Sequence, residues 1–478
     1  MTEASDEMVF YVPLPIGTYG NYTVAIKGTA VDFSHISTNV TNTIGRRTLL
    51  LMPEFSVENG ELKKGAGNVI PVTQEEAEIS GNQSVTIQAD ANATLVLKYT
   101  PQEGNAILKM SDGSEEIEPQ NSEAEVEIIP TDTETEIEAL NINTPTLTVK
   151  LGEGKYGTVE ALTAKQTLII GEGVTIEKLV WNGGALKVDE TAAIKELVVN
   201  DVAKENTDYE LNGNTYTIKT LAGMFWLAKE VNKGSSFAGK IVELGNDIDL
   251  YNLPWTPIGY NCNPKAPVTF DGTFDGNDNT ISNLNVDTST SELGEHAPAG
   301  LFGYASTNAV IKDLKIKDVN IKALNYAGAV VGYLQSLHKT YIAKVENCEV
   351  ESGTITVVTG LNDKSEYDYG NSAGGITGYV CYGTTVSNCS VKGITITGYR
   401  EMGGIVGRVN LAKFKSKYVC TVTLTSCSVT DVIIKQDLTN DYKSPTPVSI
   451  GAIYGETKNS GSTFTESDNE SSNVTISK

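Results

Sequence analysis

The chain has 478 residues, and 60 carboxylates against 36 lysines and arginines give it a formal charge of −24. Such a surface repels phosphate backbones and anionic bilayers, so nucleic acid and membrane surfaces are poor partners, and the charge mainly favours solubility. No apolar run reaches the roughly 18 residues needed to span a bilayer, no export signal precedes the polar opening stretch, and the length suggests several modules; the chain reads as a mature product or a fragment.

Residues 1–60 are β-rich and punctuated by Gly17, Gly20 and Gly28. The segments Phe10–Thr18 and Arg47–Ser56 resemble the last strands of fimbrillin-like β-sandwich domains of gut-bacterial surface proteins, which implies the end of such a domain here. Residues 61–139 form an acidic β-rich module. In it, Glu125 and Glu127 flank Val126 with strand alternation, the pattern of a solvated carboxylate face opposite an apolar one. Residues 140–208 carry a shorter repeat. Leu147-Thr-Val, Leu168-Ile-Ile and Leu186-Lys-Val recur at 21 and 18 residues, as expected of a short β-solenoid.

The last module, 209–478, opens with the one helical pattern. Thr220 is a suitable N-cap, Leu221, Met224, Phe225, Ala228 and Val231 make one apolar face, and Gly234 provides the stop. Its position predicts a cap over the first coil of a solenoid. That solenoid is expected to start near Ile241, with Leu284 aligned to the Leu314 column described next.

From Ala299 onward one sentence is written five times. Ala299-Gly-Leu-Phe-Gly303, Gly328-Ala-Val-Val-Gly332, Gly374-Gly-Ile-Thr-Gly378, Gly403-Gly-Ile-Val-Gly407 and Gly451-Ala-Ile-Tyr-Gly455 are each followed by two further β-branched phrases. The closing glycines are 29, 46, 29 and 48 residues apart, so compact and enlarged coils alternate. Three short phrases per repeat, each read as a strand, predict a parallel β-helix. Alternation puts Leu301, Val330, Ile376, Ile405 and Ile453 in one inward column, and Leu314, Cys348, Cys389, Cys427 and Ser467 in another. Val406 and Arg408 then point outward, and Arg408 should be replaceable at little cost. The repeated phrase resembles the GLUG motif of bacterial surface proteins, over roughly the last 180 residues. The resemblance implies an all-β, right-handed parallel β-helix, and it implies adhesin-like proteins or accessory regions of secreted enzymes.

Catalytic signatures are sparse in the sequence. None of the six cysteines forms a C-x-x-C pair, and three sit in the inward column as small buried thiols. The three histidines lie in no pattern that activates a nucleophile, and no carboxylate pair on a strand recurs from repeat to repeat. The expectation is therefore a non-catalytic protein without a cofactor; a polysaccharide lyase or glycoside hydrolase, or its accessory region, is the alternative. Asp275 and Asp278 are weak calcium candidates in a window that turn chemistry explains equally well. Tyr304, Tyr333 and Tyr379 follow successive closing glycines and could offer sugar-stacking rings, or could simply stack on one another.

Each enlarged coil also carries two insertions, one basic and aromatic (Leu337–Tyr341, Lys413–Tyr418), the other acidic and tyrosine-bearing (Asn362–Asn371, Asp437–Lys443). In the second kind, Tyr367, Tyr369 and Tyr442 could stack on sugars, while Asp363, Asp368 and Asp441 could accept hydroxyl hydrogen bonds or hold calcium. The expected role is a monomeric protein, secreted or on the outer surface of a Gram-negative bacterium, that binds a glycan or a host-surface protein. A structural stalk or pilus-associated subunit is a further alternative.

Overall fold

The computed structural model describes the strands between residues 17 and 100 and, from 125 onward, all residues except 131–135, 144–147, 162–166, 201–202, 294–295, 337–339, 359–371, 414, 416, 438–448, 461 and 478. Among the described residues strands predominate and the helix has 12 residues, so the protein is all-β. It divides into two compact units, Met1–Val198 and Val199–Lys478.

In the first unit three small antiparallel pairs precede the main structure: Gly17–Tyr19 with Asn42–Ile44, Thr23–Lys27 with Asp32–Ser37, and Phe55–Glu58 with Glu61–Lys64. Most of Phe10–Thr18 and Arg47–Ser56 lies outside the described residues. From Asn68 to Val199 successive strands alternate between two six-stranded parallel sheets. The expected division at 139/140 is absent, because the strand Glu136–Asn143 crosses it and pairs with strands on both sides. Acidic residues had disguised the earlier strands as a separate module. Period-2 alternation buries every second residue: Leu140, Val159 and Leu179 on one sheet, Val149, Leu168 and Leu186 on the other. Outward positions carry charges that pair along the stack, such as Lys178 with Glu196 at 2.7 Å.

The second unit opens with the hairpin Tyr209–Asn212/Thr215–Ile218, whose first strand is the end strand of a 17-stranded sheet and whose second continues it in parallel pairing. The helix Leu221–Asn232 (α1) follows as its sequence pattern demands. Thr220 Oγ1 accepts from Gly223 N, and Gly234 ends the helix at φ +111. Gly223 lets α1 settle on the hairpin, since a Cβ there would lie 2.4 Å from Asp208 O.

Beyond α1 the chain visits three parallel sheets in turn. A five-stranded sheet is built from Phe302–Ser306, Val331–Gln335, Thr377–Cys381, Val406–Ala412 and Tyr454–Ser460. A four-stranded sheet takes Tyr326–Gly328, Ser372–Gly374, Glu401–Gly403 and Ser449–Gly451. The long sheet takes the rest, including Val310–Ala323 and Ala343–Val357, each of which spans what the sequence suggested were two separate strands.

The repeated glycine phrase is therefore not a single strand. Its first glycine ends a strand of the four-stranded sheet and its last lies in a strand of the five-stranded one, with Ala329-Val330 or Gly404-Ile405 between them. Backbones approach closely there. A Cβ on Gly378 or Gly407 would sit 2.6 Å from the nitrogen of Ala327 or Ala373, closer than any side chain tolerates. The column Leu301, Val330, Ile376, Ile405 is buried as expected, with Ile453 half-buried at its end. Val406 is also buried, because this face of the strand is covered too.

Along the long sheet the coil bends at residues in the left-handed region: Asp313, Asn347, Asn388, Ser426 and Asp468 in one column, Asn283, Asp318, Ser352 and Asp431 in the next. Short polar side chains tolerate that conformation and bond locally. They also bond between coils, as Asn347 Nδ2 does to Asp313 Oδ1 (2.8 Å) and Ser352 Oγ to Asp318 Oδ1 (2.6 Å). Each bend in the first column precedes a residue of the Leu314/Cys348/Cys389/Cys427 column. Two expected alignments change. Leu284 O accepts from Asn320 N, which registers Leu284 with Val319 rather than Leu314. The cysteine column ends at Asn469, not Ser467, and Asn469 Oδ1 accepts from Cys427 N.

Candidate functional site

A buried polar cluster of the second unit lies where the four- and five-stranded sheets meet. Tyr304, Tyr333 and Tyr379 occupy successive strands at one register position, continued by Arg408. They do not turn to solvent. Tyr304 and Tyr379 are buried and Tyr333 is half-buried. Tyr333 stacks on Tyr379 (centroids 4.6 Å, 13°) and meets Tyr304 edge-on, while Tyr326 of the other sheet packs on both Tyr333 and Tyr379 at 5.1 Å. Of the two sequence readings, mutual stacking describes these rings.

The Tyr304 and Tyr379 hydroxyls are held by amides of the next coil, and that of Tyr333 by an amide of its own strand. Gln335 Nε2 donates to Tyr304 OH and Asn410 Nδ2 to Tyr379 OH, and Tyr333 OH donates to Gln335 Oε1 at 3.4 Å. Burial drives the Tyr333 and Tyr379 hydroxyls well above the ordinary tyrosine range, so both remain neutral at physiological pH.

Next to the rings lies a buried ionic group that the sequence reading missed. Glu401 accepts from Ser372 Oγ at 2.6 Å and from Arg408 at 3.3 Å, and an Arg400 nitrogen lies 3.8 Å away. Glu401 is 1% exposed. Arg408, taken as an outward position of no consequence, also sits 5.4 Å over the Tyr379 ring. The signal was available: of only four arginines in the chain, two fall within nine residues of each other around one glutamate.

Asp271 is a second half-buried carboxylate, raised by burial and satisfied by Ser306 Oγ (2.7 Å) and Thr269 Oγ1 (3.3 Å). None of the six cysteines forms a disulfide. Burial pushes Cys381 up to about 12 and Cys389 well above the thiol range; hydrogen bonding to Cys389, then burial, raises Cys427. Thiols held protonated in this way are weak nucleophiles.

Of the calcium candidates, Asp275 is engaged by Lys312 Nζ and accepts from Asn277 N at 2.9 Å, the geometry of an ion-paired turn. Asp278 donates its backbone N–H to Asp313 O in the same turn. No group of three or more potential metal ligands occurs among the described residues.

The loop candidates Asp363, Tyr367, Asp368, Tyr369, Asp441 and Tyr442 lie outside the described residues. The strands that bracket them are described. Ser372, Glu401 and Ser449 stand in one register column, so the 359–371 and 438–448 segments lead into the same corner two coils apart. Ala343, Thr384 and Val422 do the same for the basic insertions.

No family model matches the chain. It is 30% identical over 146 residues to halomucin from Haloquadratum walsbyi, which is 29% of this chain and 2% of that protein; the chain thus spans a small fraction of halomucin's length. Among solved structures it is similar to a candidate immunoglobulin A1 protease from Bacteroides ovatus, at 15% identity over 56% of this chain and 78% of that one. The TM-score is 0.34, too loose a likeness to define a shared fold.

Proposed function

We propose that this is a non-catalytic surface-type protein, adhesin-like, in which a right-handed parallel β-helix displays paired loops to a glycan or a host-surface protein. The observation that carries this reading is the register of the enlarged coils, because the strands that follow the two chemically similar insertions, beginning at Ser372 and Ser449, stand in one column two coils apart, roughly 10 Å at about 4.8 Å per coil. Loops held on a rigid scaffold are where recognition residues concentrate. The partial match to halomucin supports a surface-type role. The GLUG-like phrase and the fimbrillin-like N-terminal segments support a secreted or outer-surface protein of a Gram-negative bacterium, and the reading takes it to act as a monomer without a required cofactor. Tyr369→Ala and Tyr442→Ala should each weaken binding to a ligand found by glycan array or cell-binding assay while leaving the melting temperature unchanged. Two variants that bind like the parent would remove the acidic loops from the site. Release of reducing or unsaturated sugar ends from a polysaccharide, lost on mutating one acidic cluster, would replace the reading by an enzymatic one.

A further inference from the structure

The acidity of the chain is not evenly spread. Between Tyr369 and Thr430 there is a single carboxylate, Glu401, and it is buried. The same stretch holds Lys392, Arg400, Arg408, Lys413, Lys415 and Lys417. One compact coil and the first half of the enlarged coil that follows it therefore carry no other carboxylate, and three of the six cations, Lys413, Lys415 and Lys417, fall in one insertion.

That insertion shares an edge with its counterpart two coils earlier. Ala343, Thr384 and Val422 are in register, so Tyr341 and Ile342, Tyr382, and Tyr418 and Val419 precede the same position in their coils. The edge is apolar and open: Tyr341, Ile342 and Val419 are 48%, 45% and 58% exposed, and Lys417 Nζ lies 5.5 Å over the Tyr418 ring. Directly beside it, the outward positions of the long sheet carry hydroxyls in register, with Thr385, Thr423 and Thr465 in one row and Thr421 and Thr463 in the next.

We infer that this edge and the adjoining hydroxyl rows bind an acidic polysaccharide. The inference rests on the adhesin reading and assigns it both a ligand class and a face. Each part of the surface matches one part of such a ligand. Lysines meet its carboxylates or sulfates, tyrosine rings take the C–H faces of its sugars, and hydroxyls that both donate and accept meet a polyhydroxylated chain. An acidic peptide satisfies the lysines but makes no use of the hydroxyl rows. A second copy of this chain brings its own large negative charge to the approach.

The test is binding of the whole chain to immobilised polygalacturonate, to its methyl-esterified neutral form and to polyglutamate, with a sulfated glycan in parallel. Binding should favour the acidic glycans over both controls and weaken as salt rises from about 0.05 to about 0.5 M, where screening shortens to a few ångströms. Lys415→Glu with Lys417→Glu should weaken it on the order of tenfold, while Lys415→Arg with Lys417→Arg retains it. Tyr341→Ala should weaken binding to the acidic glycans without changing its salt dependence. Equal binding to polyglutamate, an unaffected lysine-reversal variant of unchanged melting temperature, or no binding to either acidic glycan would overturn the inference. If cell or array binding survives lysine reversal but depends on Tyr369 and Tyr442, this face is wrong and the adhesin reading stands. A parent protein that binds nothing in any assay removes both.

Discussion

Between Asn68 and Val199 the chain moves between two sheets, buries alternate apolar residues and pairs its charges along the outside. Between Val199 and Lys478 it visits three sheets. Glycines stand where backbones approach in both units, at Gly171 as at Gly407, but among the described residues only the larger unit adds left-handed Asp, Asn and Ser bends and a buried ionic cluster at one corner. These bends and this corner are expected to carry stability that surface strand positions of the first unit do not.

The largest effect should come from Ile405→Asp, which puts a charge into the fully buried column beside the glycine corner. A loss of more than about 4 kcal/mol is expected by chemical denaturation, with the second unit's transition affected and the first unit's left in place. Next is Arg408→Ala, expected to cost about 3 kcal/mol because it strips a partner from buried Glu401. Combining it with Glu401→Gln should recover much of that loss. A change below about 0.5 kcal/mol would return Arg408 to the status of an ordinary surface residue.

The thiols add a dependence on pH that only the second unit can show, since every cysteine lies after Val199. Cys389 and Cys427 are raised above their ordinary 9.0 in the folded state. Their protonated burial therefore stabilises fully below about pH 9, and that contribution is lost as pH rises, because the unfolded chain then releases protons the folded one retains. The slope is at most about 1.4 kcal/mol per pH unit for each thiol. Cys389→Ala with Cys427→Ala should flatten the alkaline limb of the stability profile; an unchanged limb would place its origin elsewhere. The smallest effects separate corner from strand surface. Asn347→Ala should cost about 1 kcal/mol through the lost bend and its bond to Asp313, whereas Lys178→Ala in the first unit should stay within about 0.5 kcal/mol. Equal costs would erase the distinction between the two units.

Period was the legible part of this sequence. Strand alternation and the glycine spacing led to the Ile405 column, the buried cysteines and the bounds of α1, because each follows from local chemistry repeated many times. What depends on how sides meet was not legible. Alternation treats a strand's second face as solvent, so Tyr304, Tyr379, Val406 and Arg408 were read as outward; a neighbouring sheet covers them. The bends were written in plain view as Asp313, Asn347, Asn388 and Asp468, but short polar residues inside β-branched phrases look like ordinary surface positions until their φ is known. Leu284 was misaligned by one phrase for the same reason, since adjacent columns with similar residues can be matched at either bend.

The Arg408–Glu401 pair has a consequence for how such a chain finds its order. Coils built from nearly the same phrase can be threaded one place out, and apolar columns barely distinguish neighbours, as Val330, Ile376 and Ile405 are almost interchangeable. Charges are not. In the native order Glu401 has Ser372 on one side and Ser449 on the other, with Arg408 from its own coil in the adjoining sheet. If the five-stranded sheet slipped by one coil, a tyrosine or Glu456 would stand in Arg408's place beside Glu401, leaving a buried carboxylate without that partner at a cost of about 3–5 kcal/mol. An ion pair that adds little net stability thus acts as an address, marking one coil among five as the fourth.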